Sequence, residues 1–183
     1  MEPVRRVLIH GVTGSGKTTL ARELAGAAGL PWHSADDEIG WLPGWQERPV
    51  EEQRELARGV AERPDWILDT AYGKWRDVVL PRAQLVVALD YPRRVSLARL
   101  LRRTATRMVT REPVCNGNVE SLRAVLSRDS IIWWHVRSFA RKRAQIEAFV
   151  ADPDGPPVVR LTSPALTAAW LEEVRRAGLL SPG

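Results

Sequence analysis

Gly11-Val12-Thr13-Gly14-Ser15-Gly16-Lys17-Thr18 carries the clearest chemistry in this 183-residue chain. It fits the spacing G-x-x-x-x-G-K-[ST], whose glycines let the backbone wrap so that its N–H groups point at phosphate oxygens. A helix beginning at Lys17 would add a partial positive charge from its N-terminus. Lys17 would then reach the β- and γ-phosphates, and Thr18 would offer its hydroxyl to Mg²⁺. A second group is acidic: Asp36, Asp37 and Glu38 are consecutive. A carboxylate beside a bound hydroxyl orients it and takes its proton, although the same residues also serve as helix caps or as a solvated acidic turn. Trp41 and Trp45 flank Pro43-Gly44, and their rings either wall a flat ligand by stacking or form a small core under a long loop. Tyr72, Lys74 and Trp75 are candidates to complete that pocket.

A third group is basic. Between Tyr91 and Ile146 there are 12 arginines and one lysine against Glu112, Glu120 and Asp129, a net charge of +10, whereas the rest of the chain is net −5. Such a segment on an acidic body suits a polyanion: nucleotide phosphates, nucleic acid or an acidic membrane face. Arg99 and Arg103 are four apart and share one face of a helix. The single cysteine, Cys115, excludes a disulfide framework and any multi-cysteine zinc site. It has no catalytic partner nearby. His10, His33 and His135 show no ligand spacing and are expected in packed or surface roles.

These groups need elements to hold them. Val7-Leu8-Ile9 is an apolar run ending in the Gly-rich turn, hence a buried strand. Residues 17–28 read as a helix with Leu20, Leu24 and Ala27/Ala28 on one face and Gly29 as its stop. Residues 31–35 suggest a second strand, 36–48 an acidic Trp-rich loop, and 49–63 a helix. Trp66-Ile67-Leu68 runs into Asp69, and Leu85 to Leu89 runs into Asp90. A helix follows over 92–103, and Trp133-Trp134 start a long helix with their rings in the core. Val158 to Leu161 is the last strand, and Ser163-Pro164 open a helix carrying Leu166, Trp170 and Val174. Strands that are continuous apolar runs and alternate with helices predict an α/β fold, a parallel sheet covered on both faces. Ligands in such sheets sit beyond the carboxyl ends of the strands. Those ends are Gly11 to Lys17, Asp36/Asp37, Asp69 to Tyr72, Asp90 and Thr162/Ser163. Length and 44% hydrophobic content predict one domain over 1–183 with its own core. The apolar runs are too short to cross a bilayer, and no signal-peptide pattern opens the chain, so a cytoplasmic protein is expected.

A base-reading N-K-x-D is missing, which disfavours a GTPase. Asp69 is followed by Thr70 and Asp90 by Tyr91, not by the catalytic Glu of a motor ATPase. Gly11 to Thr19, Asp36-Asp37 with Trp41-Leu42-Pro43-Gly44-Trp45, Trp66-Ile67-Leu68-Asp69 with Tyr72, Leu89-Asp90-Tyr91-Pro92, Arg99-Leu100-Leu101-Arg102-Arg103 and Phe139-Ala140-Arg141-Lys142-Arg143 together span most of the chain. With these the chain resembles a P-loop small-molecule kinase of the adenylate-kinase-like superfamily, and more closely the bacterial DNA-topology modulation (FlaR-type) kinase-like group.

The resemblance implies a P-loop NTPase three-layer sandwich with strand order 2-3-1-4-5, an Arg-rich lid around 103–129, and ATP and Mg²⁺ as cofactors. It implies nucleotide binding by Gly11, Thr13, Gly14, Ser15, Gly16, Lys17, Thr18, Thr19, Arg99 and Arg103, and metal binding by Thr18 and Asp69. Lys17, Asp36 or Asp37, Arg103 and Arg141 are the candidate catalytic groups. Asp36, Asp37, Trp41, Trp45, Asp69, Tyr72 and Arg137 are the candidate acceptor contacts. Thr70-Ala71-Tyr72-Gly73 stands where adenylate kinases carry Gly-x-Pro-Arg for a nucleoside monophosphate. The leading expectation is therefore a Mg-ATP-dependent phosphotransferase acting on a nucleoside, nucleotide or hydroxylated metabolite. The alternatives are a nucleic-acid-binding ATPase or regulator using the basic segment, and a nucleotide sensor without an acceptor.

Overall fold

The computed structural model describes residues 3–110, 116, 118, 131–178 and 180. Apolar runs form a five-stranded parallel sheet from β1 (Arg6–Gly11), β2 (Trp32–His33), β5 (Trp66–Leu68), β6 (Leu85–Leu89) and β7 (Val158–Leu161), ordered β2-β5-β1-β6-β7. Counting these five alone in chain order, the arrangement is 2-3-1-4-5, as expected. β1 is central: Val7 pairs with Ile67 on one side and Leu85 on the other. Val7, Leu8 and Ile9 are fully buried, so every side chain along this strand must be accommodated by one of two helical layers.

The side chains of β1 alternate between those layers. Val7 and Ile9 pack with Leu20 and Leu24 of α1 (Lys17–Ala28) and with Leu171 and Val174 of α6 (Pro164–Ala177). Leu8 packs on the opposite face with Ala57 and Val60 of α2 (Val50–Ala61), Val79 of α3 (Arg76–Val79) and Phe149 of α5 (Ile131–Ala151). α1 has the predicted bounds, ending where Gly29 at φ 69° donates its N–H to the Ala25 carbonyl. Ser163 accepts from the Leu166 N–H and caps α6 as expected.

The structure departs from the sequence reading in several places, beginning with a second strand of only two residues, Trp32–His33, and an exposed Leu166. Residues 36–48 are not a plain loop. Ser34 caps a π-helical turn over Ala35–Gly40, and a short hairpin of β3 (Trp41–Leu42) and β4 (Gln46–Glu47) follows. α4 (Arg93–Thr110) continues beyond 103 because no glycine or proline interrupts its sequence. Trp133 and Trp134 are about half exposed, at 53% and 48%, rather than in the core. The phase of α5 turns His135 and Ser138 inward instead. Of the expected lid, 111–115, 117 and 119–129, including Cys115, lie outside the described residues. No described helix is long and apolar enough to cross a membrane.

Candidate active site

The carboxyl end of β1 opens directly into the Gly11–Thr18 turn, which runs into the N-terminus of α1. Gly14 sits at φ 82°, where a built Cβ would come 2.4 Å from the Ser96 carbonyl oxygen and 2.9 Å from Leu100 Cβ of α4. Both the left-handed backbone and this close approach require glycine. Ser15 turns its Oγ back onto the Val12 carbonyl at 2.8 Å, a bond that shapes the loop from within.

Lys17 Nζ donates to the Val12 carbonyl at 3.2 Å, folding the ammonium over the mouth of the loop. Burial pulls the Lys17 ammonium below its ordinary pKa; Asp69 and Asp36 push it back up, and Arg103 lowers it further. These effects gather Lys17, Asp69, Asp36 and Arg103 into one electrostatic neighbourhood. Thr18 Oγ1 donates to Asp69 Oδ2 at 2.7 Å, and the Ala35 N–H donates to Asp69 Oδ1 at 3.0 Å. Burial raises the Asp69 pKa, with Asp36 adding to the rise and the two donors and Lys17 opposing it. A hydroxyl beside a carboxylate at the foot of a phosphate cradle is a hard-oxygen pair, which suits Mg²⁺ that keeps most of its waters. Thr18 and Asp69 would hold that ion. No group of three or more His, Cys, Asp or Glu side chains that could hold a metal by themselves occurs among the described residues.

The three consecutive acids take different tasks. Glu38 accepts from the Ser34 N–H at 3.0 Å and contacts His33 Nδ1 at 2.7 Å, which ties the turn to β2. Asp37 exchanges hydrogen bonds with Ser34 and accepts the Asn116 N–H at 3.0 Å. Asp36 instead receives the Tyr72 hydroxyl on Oδ1 and acts electrostatically on Lys17. Gly40 makes room for that tyrosine: a Cβ there would meet Tyr72 Cε2 at 2.9 Å. Trp41 and Trp45 pack edge to face with centroids 5.9 Å apart, Trp45 being 43% exposed. The pair stands on the hairpin directly after the acidic turn.

Arg99 crosses the loop, donating to the Ser15 carbonyl at 3.2 Å with its guanidinium 5.7 Å from the Tyr91 ring centroid. Arg103, one turn further along α4, acts on Lys17. Arg137 and Arg141 line a surface depression of about 390 Å³ with Trp134 and Ser138, and Arg141 stacks over Trp134 at 5.4 Å. From the same helix, α5, Lys142, which the sequence reading names only within the basic run 139–143, acts on Lys17's surroundings together with His10 of β1. The signal was present in the spacing: Ser138, Lys142, Ile146 and Phe149 recur at helical intervals along the inward face. Asp90, a candidate strand-end carboxylate, is bound by Arg160 at 2.5 Å and approached by Arg143 at 3.5 Å, a structural ion network.

Comparison with known proteins bears on the fold. A sugar kinase from Janibacter sp. superposes with a TM-score of 0.53 at 22% identity, covering 99% of this chain and 100% of its own. The shikimate kinase of Acinetobacter baumannii, solved in complex with shikimate, gives 0.59 at 15% identity over 95% of this chain and 92% of its own. A gluconokinase from Sinorhizobium meliloti gives 0.52 at 16% identity over 98% of this chain and 93% of its own. The chain shares its fold with these kinases. No protein-family profile and no curated protein sequence matches the chain.

Proposed function

We propose that this protein is a Mg-ATP-dependent phosphotransferase that phosphorylates a hydroxyl of a small acceptor. The observation that carries the reading is the joining of two half-sites through Lys17, where a phosphate cradle meets a carboxylate, Asp36, that is not consumed by a capping role. A sensor without an acceptor has no need of that second half. The likeness to sugar, shikimate and gluconate kinases supports the same reading at the level of fold. The Trp41 to Trp45 hairpin and the basic run at 141–143 support a place beside the FlaR-type group.

In this mechanism the loop N–H groups of Gly14, Gly16 and Lys17 bind the β-phosphate, and Arg99 lies across the nucleotide. Mg²⁺, when bound by Thr18 and Asp69, supplies charge neutralisation on the phosphate oxygens. Asp36 accepts the acceptor's hydroxyl proton while Tyr72 holds the carboxylate in place. The acceptor oxygen bonds to the γ-phosphorus, the bond from that phosphorus to the β,γ-bridging oxygen breaks, and ADP leaves. Lys17 and Arg103 meet the charge on the transferring group. Phosphoryl transfer asks mainly for such positioning and charge stabilisation.

The test is ADP release with Mg-ATP against pools of nucleosides, nucleoside monophosphates and hydroxylated metabolites. One pool is expected to accelerate release. Nucleotide binding with no acceleration by any pool would contradict the proposal. The half-exposed Trp133 and Trp134 beside Arg137 and Arg141 are the observation that favours the nucleic-acid-binding alternative. That reading predicts DNA affinity falling steeply with salt.

A further inference from the structure

Three nitrogen-bearing side chains converge next to Lys17, and among the described residues none of them forms an ion pair with an acid. His10 is fully buried on β1, and neither ring nitrogen makes a well-formed hydrogen bond, the Lys142 backbone being only a weak polar contact. Its ring meets Phe149 edge-on at 5.1 Å. The Arg76 guanidinium, from the start of α3, packs over the same Phe149 ring at 5.6 Å with Nη1 buried and unbonded. Lys142 lies two turns before Phe149 on the inward face of α5 and lines a small crevice with Val12 of the phosphate loop and with Asp90, whose carboxylate is already held by Arg160 and Arg143. Among the described residues, no carboxylate forms an ion pair with Arg76 or Lys142; the charge of exposed Asp77, itself bound by Arg54, is the acidic influence on Arg76. The charged groups that act on Lys142 are Lys17, Arg76 and Arg141, all cations.

We propose that His10, Arg76 and Lys142 form an anion subsite for the acceptor, so that the molecule phosphorylated carries a carboxylate or a phosphate of its own besides its hydroxyl. This rests on the phosphotransfer reading and narrows it. Buried like charges repel and desolvate at a cost that a bound anion offsets. The strain is visible in Lys142, whose ammonium is pushed down to about 7, first by burial and then by Lys17, Arg76 and Arg141. His10 is held neutral by burial and by the surrounding cations, which leaves its ring N–H to donate. The subsite belongs to the acceptor rather than to the nucleotide because of the face it occupies. His10 alternates with Ile9 and shares the side of Leu8. That side carries α2, α3, Ala35 and Tyr72, and with them Asp36, whereas the phosphate loop leads into α1 on the other face.

The experiment fills the nucleotide site with Mg²⁺ and a non-hydrolysable ATP analogue, which occupies the γ-phosphate position. The ring ¹⁵N signals of His10 are then followed during titration with inorganic phosphate, glycerate and gluconate, and with the neutral amides of the two acids. The expected result is that anions shift the His10 signals and the amides do not. Lys142→Met and Arg76→Met should each weaken anion binding at least tenfold, with affinity for the ATP analogue unchanged, and Lys142→Arg should keep most of it. Equal responses to acid and amide, or anion binding indifferent to both methionine variants, would overturn the proposal. Inorganic phosphate alone binding would assign a phosphate ester, and the hydroxy acids alone binding would assign a carboxylate. Anions that bind here while no acceptor accelerates ADP release would leave the subsite standing and sink the phosphotransfer reading. Turnover of neutral acceptors with no binding of acids would do the reverse.

Discussion

The phosphate loop and the His10–Arg76–Lys142 cluster both neighbour Lys17 and both suit negative charge, yet they are made of different material. The loop uses backbone N–H groups set by one continuous turn, with Ser15 holding its shape and Gly14 allowing α4 to close over it. Partial charges of this kind are permanent and need no counter-ion. The cluster uses side chains from β1, α3 and α5 packed about Phe149, where burial penalises their charge and lowers the Lys142 pKa. The loop would thus accept a phosphate at little cost to its own structure, whereas the cluster is under tension until an anion arrives.

The comparison breaks most severely at Lys17, which serves both regions. Lys17→Ala should lower ADP release by at least about 10³-fold, because it removes a cation from the transferring phosphoryl. Steady-state rates at saturating ATP measure this, and a loss below tenfold would remove Lys17 from the chemistry. Next in size is the contrast between two adjacent acids. Asp36→Asn should cut kcat by roughly 10²-fold or more while leaving nucleotide affinity alone. Asp37→Asn should cost about 1 kcal/mol of stability through its capping bonds and leave kcat within a fewfold. The reverse pattern would move the base to Asp37.

The contrast between these acids also shows what could be read in advance. The residue types and their place after β2 were legible, because Asp36, Asp37 and Glu38 follow a recognisable strand. Which acid faces the site was not. That depends on Ser34 capping a π-helical turn and on Asn116, far along the chain, meeting Asp37. The loop, α1 and the sheet order are set by local spacing and by runs of buried residues, so they could be read directly. The hairpin strands are two residues each, too short for any periodicity to show. His10 and Arg76 carry no motif; only the fold brings them to Lys142. Trp133 and Trp134 are hydrophobic enough to suggest a core position, but the helix phase buries His135 and Ser138 and turns the tryptophans outward.

Gly14→Ala should affect the loop and spare the cluster. It places a Cβ against the Ser96 carbonyl at a left-handed position, and the strained backbone alone costs about 1–3 kcal/mol. A lowered Tm with weakened nucleotide affinity is expected; unchanged values of both would show that the loop relaxes without α4.

The smallest effect separates the cluster from the loop by pH. The Lys142 pKa is about 7 in the folded chain, against about 10.4 for an unperturbed lysine. Between those values the unfolded chain binds more protons, so stability rises with pH from about 7 towards 10 on this account, and the full penalty applies below 7. Denaturant titrations at pH 7 and 9 should show that rise in the wild type and a flatter response in Lys142→Met. Identical slopes in the two proteins would contradict a charged Lys142 under tension.

The most direct test of the central claim follows the terminal phosphate itself. ATP labelled at the γ-phosphate is incubated with Mg²⁺, the protein and the acceptor pools, and the label is traced to an organic product or to inorganic phosphate. The account predicts label in an organic phosphate ester, dependent on the acceptor and lost in Lys17→Ala. Label found only as inorganic phosphate, at a rate no acceptor changes, would contradict it.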